Sequence, residues 1–327
     1  MKFLIAVICA LAGLAAWALV TPYQGFPAET FVEIPRGTGT AGIARELAKD
    51  GVIRYSWELE LLHLVRPSAK LQAGEYRFAK AASALDVFNR IARGDIYFVE
   101  FTVPEGSNIF DIAKAIEAEG MMSAEDFLAA AEDPALIRDL APKAKTLEGY
   151  LFPSTYRLSH ATTPAHLSKM MTDEFRKQWA RLSAGNDADL RSTVTLASLV
   201  EKETAAPEER PVIASVFRNR LAQGMRLQCD PTTIYAALLD HRYRGAIHKS
   251  DLASANPYNT YENAGLPPGP IANPGAQSLR AALAPADTPF LYFVAKPEGG
   301  GHQFSTTIAQ HEKAVVAYRH ATQRKIR

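Results

Sequence analysis

The stretch Leu196-Ala197-Ser198-Leu199-Val200-Glu201-Lys202-Glu203-Thr204 is an apolar helical stripe that ends in two carboxylates. On a helix, Glu203 lies on the same side as the bulky apolar residues of this stripe, whereas Glu201 lies on a side with smaller residues and a hydroxyl. Burial disfavours the charged form of a carboxylate and raises its pKa, so we expect Glu203 to be the more desolvated group and a proton donor near neutral pH. The alternative is a helix end whose charges are solvated, which is the usual interpretation of an isolated Glu-Lys-Glu.

The composition is that of a globular protein with room for two domains. The chain has 327 residues, of which 47% are hydrophobic and 22% charged, so disorder is excluded and a substantial core is expected. The formal net charge is +1, and the motifs of the common nucleic-acid-binding modules are absent. We therefore expect no nucleic-acid partner.

The N-terminal segment is continuously apolar over residues 3–20 and is preceded by Lys2. This length is just enough to span a bilayer as a helix, and we predict a transmembrane anchor over residues 1–21. The alternative is a signal peptide cleaved at Ala16-Trp17-Ala18, but the apolar run continues beyond that site. Lys2 places the N-terminus in the cytoplasm, and in either case the remainder of the chain is exported.

The exported part contains a single cysteine, Cys229. It has no partner for an intrachain disulfide, so the exported part depends on its core for stability. A lone cysteine can also be a nucleophile, but the sequence around Cys229 gives no support for that role. A small, partly buried residue is the favoured interpretation.

An internal repeat with an offset of 69 residues occupies the first half of the chain. One copy opens with Val32-Glu33-Ile34-Pro35-Arg36-Gly37 and the other with Phe101-Thr102-Val103-Pro104-Glu105-Gly106. Each copy predicts a short strand, a Pro-x-Gly turn, an amphipathic helix and a Gly stop. The unit resembles the LysM-type modules that bind cell-wall glycans, although structural packing alone also accounts for it. We expect this repeat-containing region to cover residues 30–145.

The remainder, residues 146–327, predicts a second domain of helices and strands. Pro211 suits the first turn of a helix and Gly224 suits its end. The predicted elements are helices near 165–182, from 190, at 211–223 and at 307–325, with a strand at 290–295. The fold class is therefore α+β, with an N-terminal transmembrane helix, LysM-like βα modules and a C-terminal α+β domain.

Three polar clusters in this second domain are candidate binding sites. An irregular loop at 147–156 is rich in aromatic residues, and loops of this kind often carry binding residues. Gln228, Asp230 and Thr232 can hydrogen-bond a sugar or an amide, although Asp-Pro-Thr is also an ordinary helix start with Asp as N-cap. Tyr258 and Asn259 suit carbohydrate, because rings stack on sugar faces and amides bind hydroxyl or acetamido groups; a proline-rigid surface loop is the alternative.

The histidines of the chain show no HExxH motif or paired ligand spacing, so we expect no metal and no other cofactor. The three consecutive glycines at 299–301 form neither a P-loop nor a dinucleotide fingerprint, and no Gly-x-Ser-x-Gly elbow is present.

Taken together, these motifs resemble the endolytic murein transglycosylases (MltG, or YceG-like). Five separated motifs occur in the family's order, and the resemblance covers essentially the whole chain, the anchor and the repeat half included. Cys229 stands where the family pattern leads us to expect a small polar residue. The segments that carry the resemblance are residues 147–153, 197–204, 225–232, 258–261 and 265–271, with 292–294 and 301–304 in addition.

The resemblance implies cleavage of the β-1,4 bond between N-acetylmuramic acid and N-acetylglucosamine within peptidoglycan strands. Such a lytic transglycosylase is a lyase that leaves 1,6-anhydro-muramic ends, and it terminates strand elongation. The implied partners are peptidoglycan glycan strands, the cytoplasmic membrane and peptidoglycan synthases, with the catalytic domain outside the cytoplasm. The implied acid/base is Glu203, with Glu201 as runner-up. The implied substrate-binding residues are Glu148, Tyr150, Gln228, Asp230, Thr232, Tyr258 and Asn259.

Two other functions compete with this interpretation. A hydrolase of the same bond would use Asp230 or Glu148 as a second carboxylate, because hydrolases normally need one to activate water or act as nucleophile. A non-catalytic wall-binding scaffold would need no functional glutamate at all.

Overall fold

The computed structural model describes residues 1–326 and contains both helices and strands. The chain divides into two compact units. Unit 1 comprises Met1–Glu100 and Arg157–Ala161, and unit 2 comprises Phe101–Tyr156 and the chain from Thr162 onward. The division falls within the region 30–145 predicted from the sequence, with residues 101–156 in unit 2.

Unit 1 begins with a long apolar helix followed by a small sheet covered by helices. Strands β1 and β2 pair antiparallel, with Val32 opposite Tyr76. Its elements are α1 (Lys2–Val20), β1 (Thr30–Ile34), α2 (Thr40–Lys49), α3 (Ser56–Val65), β2 (Gly74–Phe78) and α4 (Ala84–Arg93).

Helix α1 is the one helix among the described residues that is long and apolar enough to cross a membrane, and none of its side chains is buried. The rest of unit 1 has its own core. Ile43, Ala44 and Leu47 of α2 are 0–2% exposed, at the spacing that the sequence predicted for one buried helix face.

The 69-residue repeat is preserved in the three-dimensional structure. The second copy consists of β3 (Val99–Thr102), α5 (Ile109–Ala118), α6 (Ala124–Glu132) and β4 (Thr155–Leu158), with β3 paired to β4. Both ends of α5 lie 69 residues after those of α2. Each copy is therefore a strand–helix–helix–strand unit, which extends the strand–turn–helix pattern read from the sequence.

The remainder of unit 2 surrounds a buried central helix, α8, which packs against α9, α10 and α12. Every residue of α8 from Thr193 to Val200 is buried. Strands β5 and β6 form an antiparallel hairpin. The elements are α7 (Pro164–Leu182), α8 (Leu190–Glu203), α9 (Arg210–Ala222), α10 (Asp230–Leu239), α11 (Lys249–Leu252), α12 (Ala276–Leu283), β5 (Tyr292–Ala295), β6 (His302–Ser305) and α13 (Ile308–Ile326), with a short 3₁₀ turn at Pro134–Leu136.

Helix α10 starts one residue earlier than predicted. Cys229 is the N-cap and Asp230 the first helical residue, whereas the sequence suggested Asp230 as the cap. The Asp230 side chain therefore does not cap the helix, and the residue is exposed.

The packing of unit 1 predicts that substitutions at two leucines have different effects on stability. Leu47 is fully buried, whereas Leu64 is 76% exposed. We expect Leu47→Ala to lower the free energy of unfolding by about 2–5 kcal/mol, because it leaves a cavity. The matched Leu64→Ala should change it by no more than about 0.5 kcal/mol. Denaturant titration of the full chain in detergent measures both, and equal effects would contradict this core.

Candidate active site

The two glutamates at the end of α8 have different surroundings. Glu201 accepts a hydrogen bond from the Arg210 guanidinium at 2.9 Å through Oε1 and one from the Gly275 amide at 2.9 Å through Oε2. Its side chain is only 4% exposed. Glu201 is thus a buried carboxylate whose charge is compensated by a cation and whose two oxygens both have donors.

The turn that opens the second repeat copy lies beside this pair. Glu105 lies 3.7 Å from Arg210, and burial together with the Glu201 charge raises the pKa of Glu105. A Cβ added to Gly275 would overlap the Glu105 carboxylate as it lies here, so a larger residue would displace the Glu105 side chain. Lys202 donates to the Gly106 carbonyl at 3.1 Å and fixes the same turn.

Glu203 has no cationic partner within ion-pair distance among the residues described. Burial raises the pKa of Glu203, and the neighbouring Asp230 charge raises it further. A hydrogen bond from the Cys229 thiol and the charges of His302 and Arg220 act in the opposite direction, but burial dominates. Glu203 is therefore a carboxyl that tends to hold its proton.

Burial is the largest cause of the raised pKa of Glu203, in the direction that the apolar face of the helix predicted. Glu201 is also withdrawn from water, with a side chain that is 4% exposed. The like charge that raises the pKa of Glu203 is that of Asp230. What separates the two glutamates is the presence or absence of a paired cation.

Glu203 lines two cavities. The first, which we call the Arg220 cavity, has a volume of about 290 Å³. The second, the Arg210 cavity, has a volume of about 410 Å³. The Arg220 cavity is lined by Glu203, Arg220, Leu227, Gln228, Asp230, Tyr261, Phe293 and His311. The Arg210 cavity is lined by Glu105, Gly106, Glu201, Lys202, Glu203, Thr204, Ala205 and Arg210.

The charged groups of the Arg220 cavity are held in place. Arg220 donates through Nε to the Leu291 carbonyl at 2.6 Å and through Nη1 to the Leu227 carbonyl at 2.7 Å. Tyr261 donates its hydroxyl to Asp230 at 2.5 Å. The cavity thus presents a fixed cation, which lowers the pKa of Glu203, and a fixed anion, which raises it.

A glutamate–histidine pair completes this environment. Glu209 accepts from the His302 amide at 2.6 Å and from its Nδ1 at 2.7 Å, and also from the Thr204 hydroxyl at 3.2 Å. Burial would raise the pKa of Glu209, but the hydrogen bonds from His302 outweigh it and the pKa is lowered. A Cβ on Gly301 would overlap Glu209, so glycine allows this contact.

Of the substrate-binding residues predicted from the sequence, Gln228 and Asp230 lie with Glu203 in the Arg220 cavity. Both are exposed. Gln228 has a positive φ of 50°, a strained value for a residue other than glycine, so the backbone there is constrained by its surroundings.

The other predicted binding residues do not line this cavity. Glu148, Tyr150, Thr232 and Asn259 are 0–2% exposed, and Tyr258 is half-buried against Tyr235 at 5.1 Å between ring centroids. The polar atoms of Glu148, Thr232 and Asn259 hydrogen-bond within the protein, whereas the buried Tyr150 hydroxyl has no partner among the described residues. The role of these residues in substrate binding stays a prediction.

Glu148 shows how these groups are used. Its carboxylate accepts from the Ile109 amide at the start of α5 at 3.0 Å and from the Asn273 amide group at 3.0 Å. Tyr235 adds a further hydrogen bond. Burial raises the pKa of Glu148 to about 8 despite these donors. Glu148 is buried and lines neither of the cavities that border Glu203.

Asn259 and Thr232 hold the loop at 256–274 in the same way. The Asn259 amide group donates to the carbonyls of Leu252 at 2.9 Å and Ser254 at 2.8 Å. The hydroxyls of Thr232 and Thr260 lie 2.8 Å apart. The polar residues of these motifs therefore fix the backbone that carries Gln228 and Tyr261.

Several members of the site were not predicted from the sequence: Glu105, Glu209, Arg210, Arg220 and Gly275. The contact between Gly275 and Glu201 joins residues that are 74 positions apart, so no local sequence pattern indicates it. His302 stands in one of the quoted motifs, and Glu209 follows the glutamate helix by six residues. Within the described residues, no three His, Cys, Asp or Glu side chains converge in a way that could hold a metal ion.

The fold and the buried glutamate at the end of α8 define a YceG-like domain. The model of the YceG-like family matches residues 32–317, and the chain belongs to this family.

Relatives and solved structures agree with this assignment. The endolytic murein transglycosylase of Bacillus subtilis (strain 168) is 34% identical over 306 residues, covering 88% of this chain and 84% of that protein. The enzyme of that name from Streptococcus pneumoniae serotype 2 (strain D39) is 28% identical over 88% of this chain, which spans 58% of the longer relative. The 2.6 Å crystal structure of a putative yceG-like protein from Listeria monocytogenes superimposes with a TM-score of 0.58 at 30% identity, covering 87% of this chain and 98% of that one.

The buried Glu148 makes the stability of the protein depend on pH. Its pKa is about 8 in the fold and about 4.5 when exposed. Between these values the folded state retains a proton that the unfolded state has lost, so stability falls as the pH rises through this window. We expect Glu148→Gln to flatten this dependence. Unfolding titrations from pH 4 to pH 9 measure it.

Glu174→Gln is the matched control. The pKa of Glu174 is lowered by a hydrogen bond from Gln178, so this residue titrates below the window and its substitution should leave the slope unchanged. A wild-type stability that does not fall between pH 5 and pH 8 would contradict a proton on Glu148 in the fold.

Proposed function

We propose that the chain is an endolytic lytic transglycosylase that cleaves the β-1,4 bond between N-acetylmuramic acid and N-acetylglucosamine in peptidoglycan. One observation carries the proposal. Glu201 is saturated by Arg210 and Gly275, whereas Glu203 lines both cavities without a cationic partner. The relatives named endolytic murein transglycosylases support the same reaction class.

The position of Glu203 supports cleavage within a strand. A glycosidase that cuts internally needs room for sugars on both sides of the scissile bond, next to its acid. Glu203 borders the Arg220 cavity on one side and the Arg210 cavity on the other. We assign the two cavities to the sugars on either side of the cleaved bond.

The reaction needs one carboxylic acid that acts twice. Protonated Glu203 gives its proton to the glycosidic oxygen as the bond from C1 of muramic acid to that oxygen breaks, which releases the N-acetylglucosamine hydroxyl. The Glu203 carboxylate then takes the proton from the C6 hydroxyl while O6 bonds to C1 and forms the 1,6-anhydro ring. Glu203 ends protonated, and no water is consumed.

The remaining assignments extend this proposal. Gln228 and Asp230 contact the sugar in the Arg220 cavity. The strand–helix–helix–strand copies are LysM-like. Helix α1 anchors the protein in the cytoplasmic membrane with its N-terminus inside, and peptidoglycan synthases are its partners outside the cytoplasm.

Product analysis of purified variants tests the reaction. We expect Glu203→Gln to lose cleavage of isolated glycan strands by at least 10²-fold, because the amide cannot donate the proton. Wild-type digests should contain 1,6-anhydro ends by mass spectrometry. Reducing ends with an added water would instead identify a hydrolase, and a wild-type protein that binds the strands without cleaving them would support the non-catalytic scaffold. Cleavage by Glu203→Gln at the wild-type rate would contradict Glu203 as the acid.

Glu201→Gln is the matched control for that variant. It leaves Arg210 or Gly275 without its acceptor, so we expect lower thermal stability by about 1–3 kcal/mol with cleavage products still formed. The opposite pattern, with Glu201→Gln inactive and Glu203→Gln active, would move the acid to Glu201.

The pH dependence of the rate tests the state of Glu203. The acid must be protonated, so kcat/KM should fall as the pH rises through its raised pKa. Asp230 raises this pKa, and Asp230→Asn should therefore move the falling limb to lower pH. The exposed Glu262 is a control on the same loop as Tyr261, and Glu262→Gln should leave the limb in place. An unmoved limb in Asp230→Asn would contradict this coupling.

A further inference from the structure

We propose that the exposed apolar face of α3 lies in the surface of the bilayer that α1 crosses. We call this face the α3 stripe; it consists of Trp57, Leu61, Leu64 and Val65. The proposal rests on the proposed role of α1 as a membrane anchor. It adds a second, peripheral contact with lipid, made by the part of unit 1 that follows α1.

Helix α3 is apolar on two faces, but only one of them is needed by the core. Leu59 and Leu62 are 0% and 7% exposed and pack into unit 1. Leu64 and Val65 are 76% and 71% exposed, and Trp57 is 40% exposed. Residues at offsets of four, seven and eight share one side of a helix, so Trp57, Leu61, Leu64 and Val65 form one stripe. A contiguous exposed apolar patch of this kind marks a contact surface.

The chain connection places the rest of unit 1 directly at the end of the apolar helix α1. Only Thr21 and Pro22 separate α1 from Tyr23, which pairs with Ala82 through two backbone hydrogen bonds of 2.9 and 3.2 Å. Two residues span at most about 7 Å. With α1 inserted, no linker separates the rest of unit 1 from the bilayer.

A cation fixes α3 to the last turns of α1. The Arg54 guanidinium lies 5.8 Å from the ring centre of Trp17 in α1 and 4.9 Å from that of Tyr23. The Arg54 amide donates to Glu58 of α3 at 3.1 Å. The start of α3 is thus at the level of Trp17, three residues before the end of α1. Tryptophan and arginine are the side chains that favour the boundary between headgroups and acyl chains.

The side chains of the stripe fit a lipid surface. Tyr55 is 59% exposed and stacks on Trp57 at 6.4 Å between ring centroids, which gives an aromatic pair with a polar hydroxyl. Leu64 and Val65 follow on the same side and are aliphatic. Aromatic rings at the interface with aliphatic groups beside them are typical of helices that lie in the plane of a membrane. The side chains of α1 itself are all unburied.

Tryptophan quenching in the full-length protein tests the proposal. The chain has three tryptophans, so Trp17→Phe with Trp179→Phe leaves Trp57 as the sole reporter. The protein is reconstituted into phosphatidylethanolamine/phosphatidylglycerol vesicles that contain lipids brominated near the glycerol end of the acyl chain. We expect Trp57 to be quenched by these lipids and to be less accessible to aqueous acrylamide than it is in denaturant.

Leu64→Glu with Val65→Glu in the same background is the decisive variant. Both side chains are exposed, so the thermal midpoint should be unchanged, while lipid quenching of Trp57 should fall roughly two-fold or more. Unchanged quenching would overturn the proposal. So would a Trp57 that is open to acrylamide and untouched by lipid, or one that is shielded from both, since a protein would then cover the stripe.

A protein that retains only Trp17 separates this proposal from the anchor on which it rests. Lipid quenching of Trp17 shows that α1 is inserted. If Trp17 is not quenched, the anchor itself is wrong. If Trp17 is quenched and Trp57 is not, the anchor stands and the contact of the α3 stripe with lipid is refuted.

Discussion

The arrangement of unit 2 depends on one buried carboxamide, that of Asn273. Its oxygen accepts from the amides of Gly149 and Leu151 at 2.8 and 2.9 Å, and its nitrogen donates to Ser107 and Glu148 at 2.9 and 3.0 Å. The side chain is fully buried with its donors and acceptors satisfied. Removing one member of such a network would leave several buried groups unpaired, each at a cost of about 1–3 kcal/mol.

The same segment delivers a donor to the end of α8. Two residues after Asn273, the Gly275 amide binds Glu201, and Gly275 starts helix α12. The backbone of Asn273 also pairs with Gly106 and Ser107, at 2.9 and 3.0 Å. The turn of the second repeat copy, the loop after residue 146 and the end of the glutamate helix are therefore held by one set of hydrogen bonds. The second repeat copy, whose sequence resembles a binding module, is thus part of the scaffold of the site.

The sequence predicts elements better than it predicts contacts. The helices at 164–182, 190–203 and 210–222 lie within a residue or two of the predicted bounds, because apolar spacing, Pro and Gly signals are local. The burial of Glu148 and Asn259 could not be read in this way. A polar side chain in a loop can bind a ligand or hydrogen-bond to the backbone of its own protein. The local sequence is the same in both cases, so it does not tell them apart. The distinction between Glu201 and Glu203 depended on Arg210 and Gly275, which no periodicity connects to α8.

A single group that gives and then takes a proton needs a pKa that is neither far above nor far below the working pH. Burial and the Asp230 charge raise the pKa of Glu203, whereas the Cys229 thiol, His302 and Arg220 lower it. Burial also raises the pKa of Cys229 far above its ordinary value, so its thiol keeps the proton that it donates to Glu203. Asp230 is held by Tyr261 and acts on Glu203 through its field. The charged groups that make these opposing contributions are held in place by hydrogen bonds. Their balance suits Glu203 both to donate a proton and then to accept one, without a second carboxylic acid.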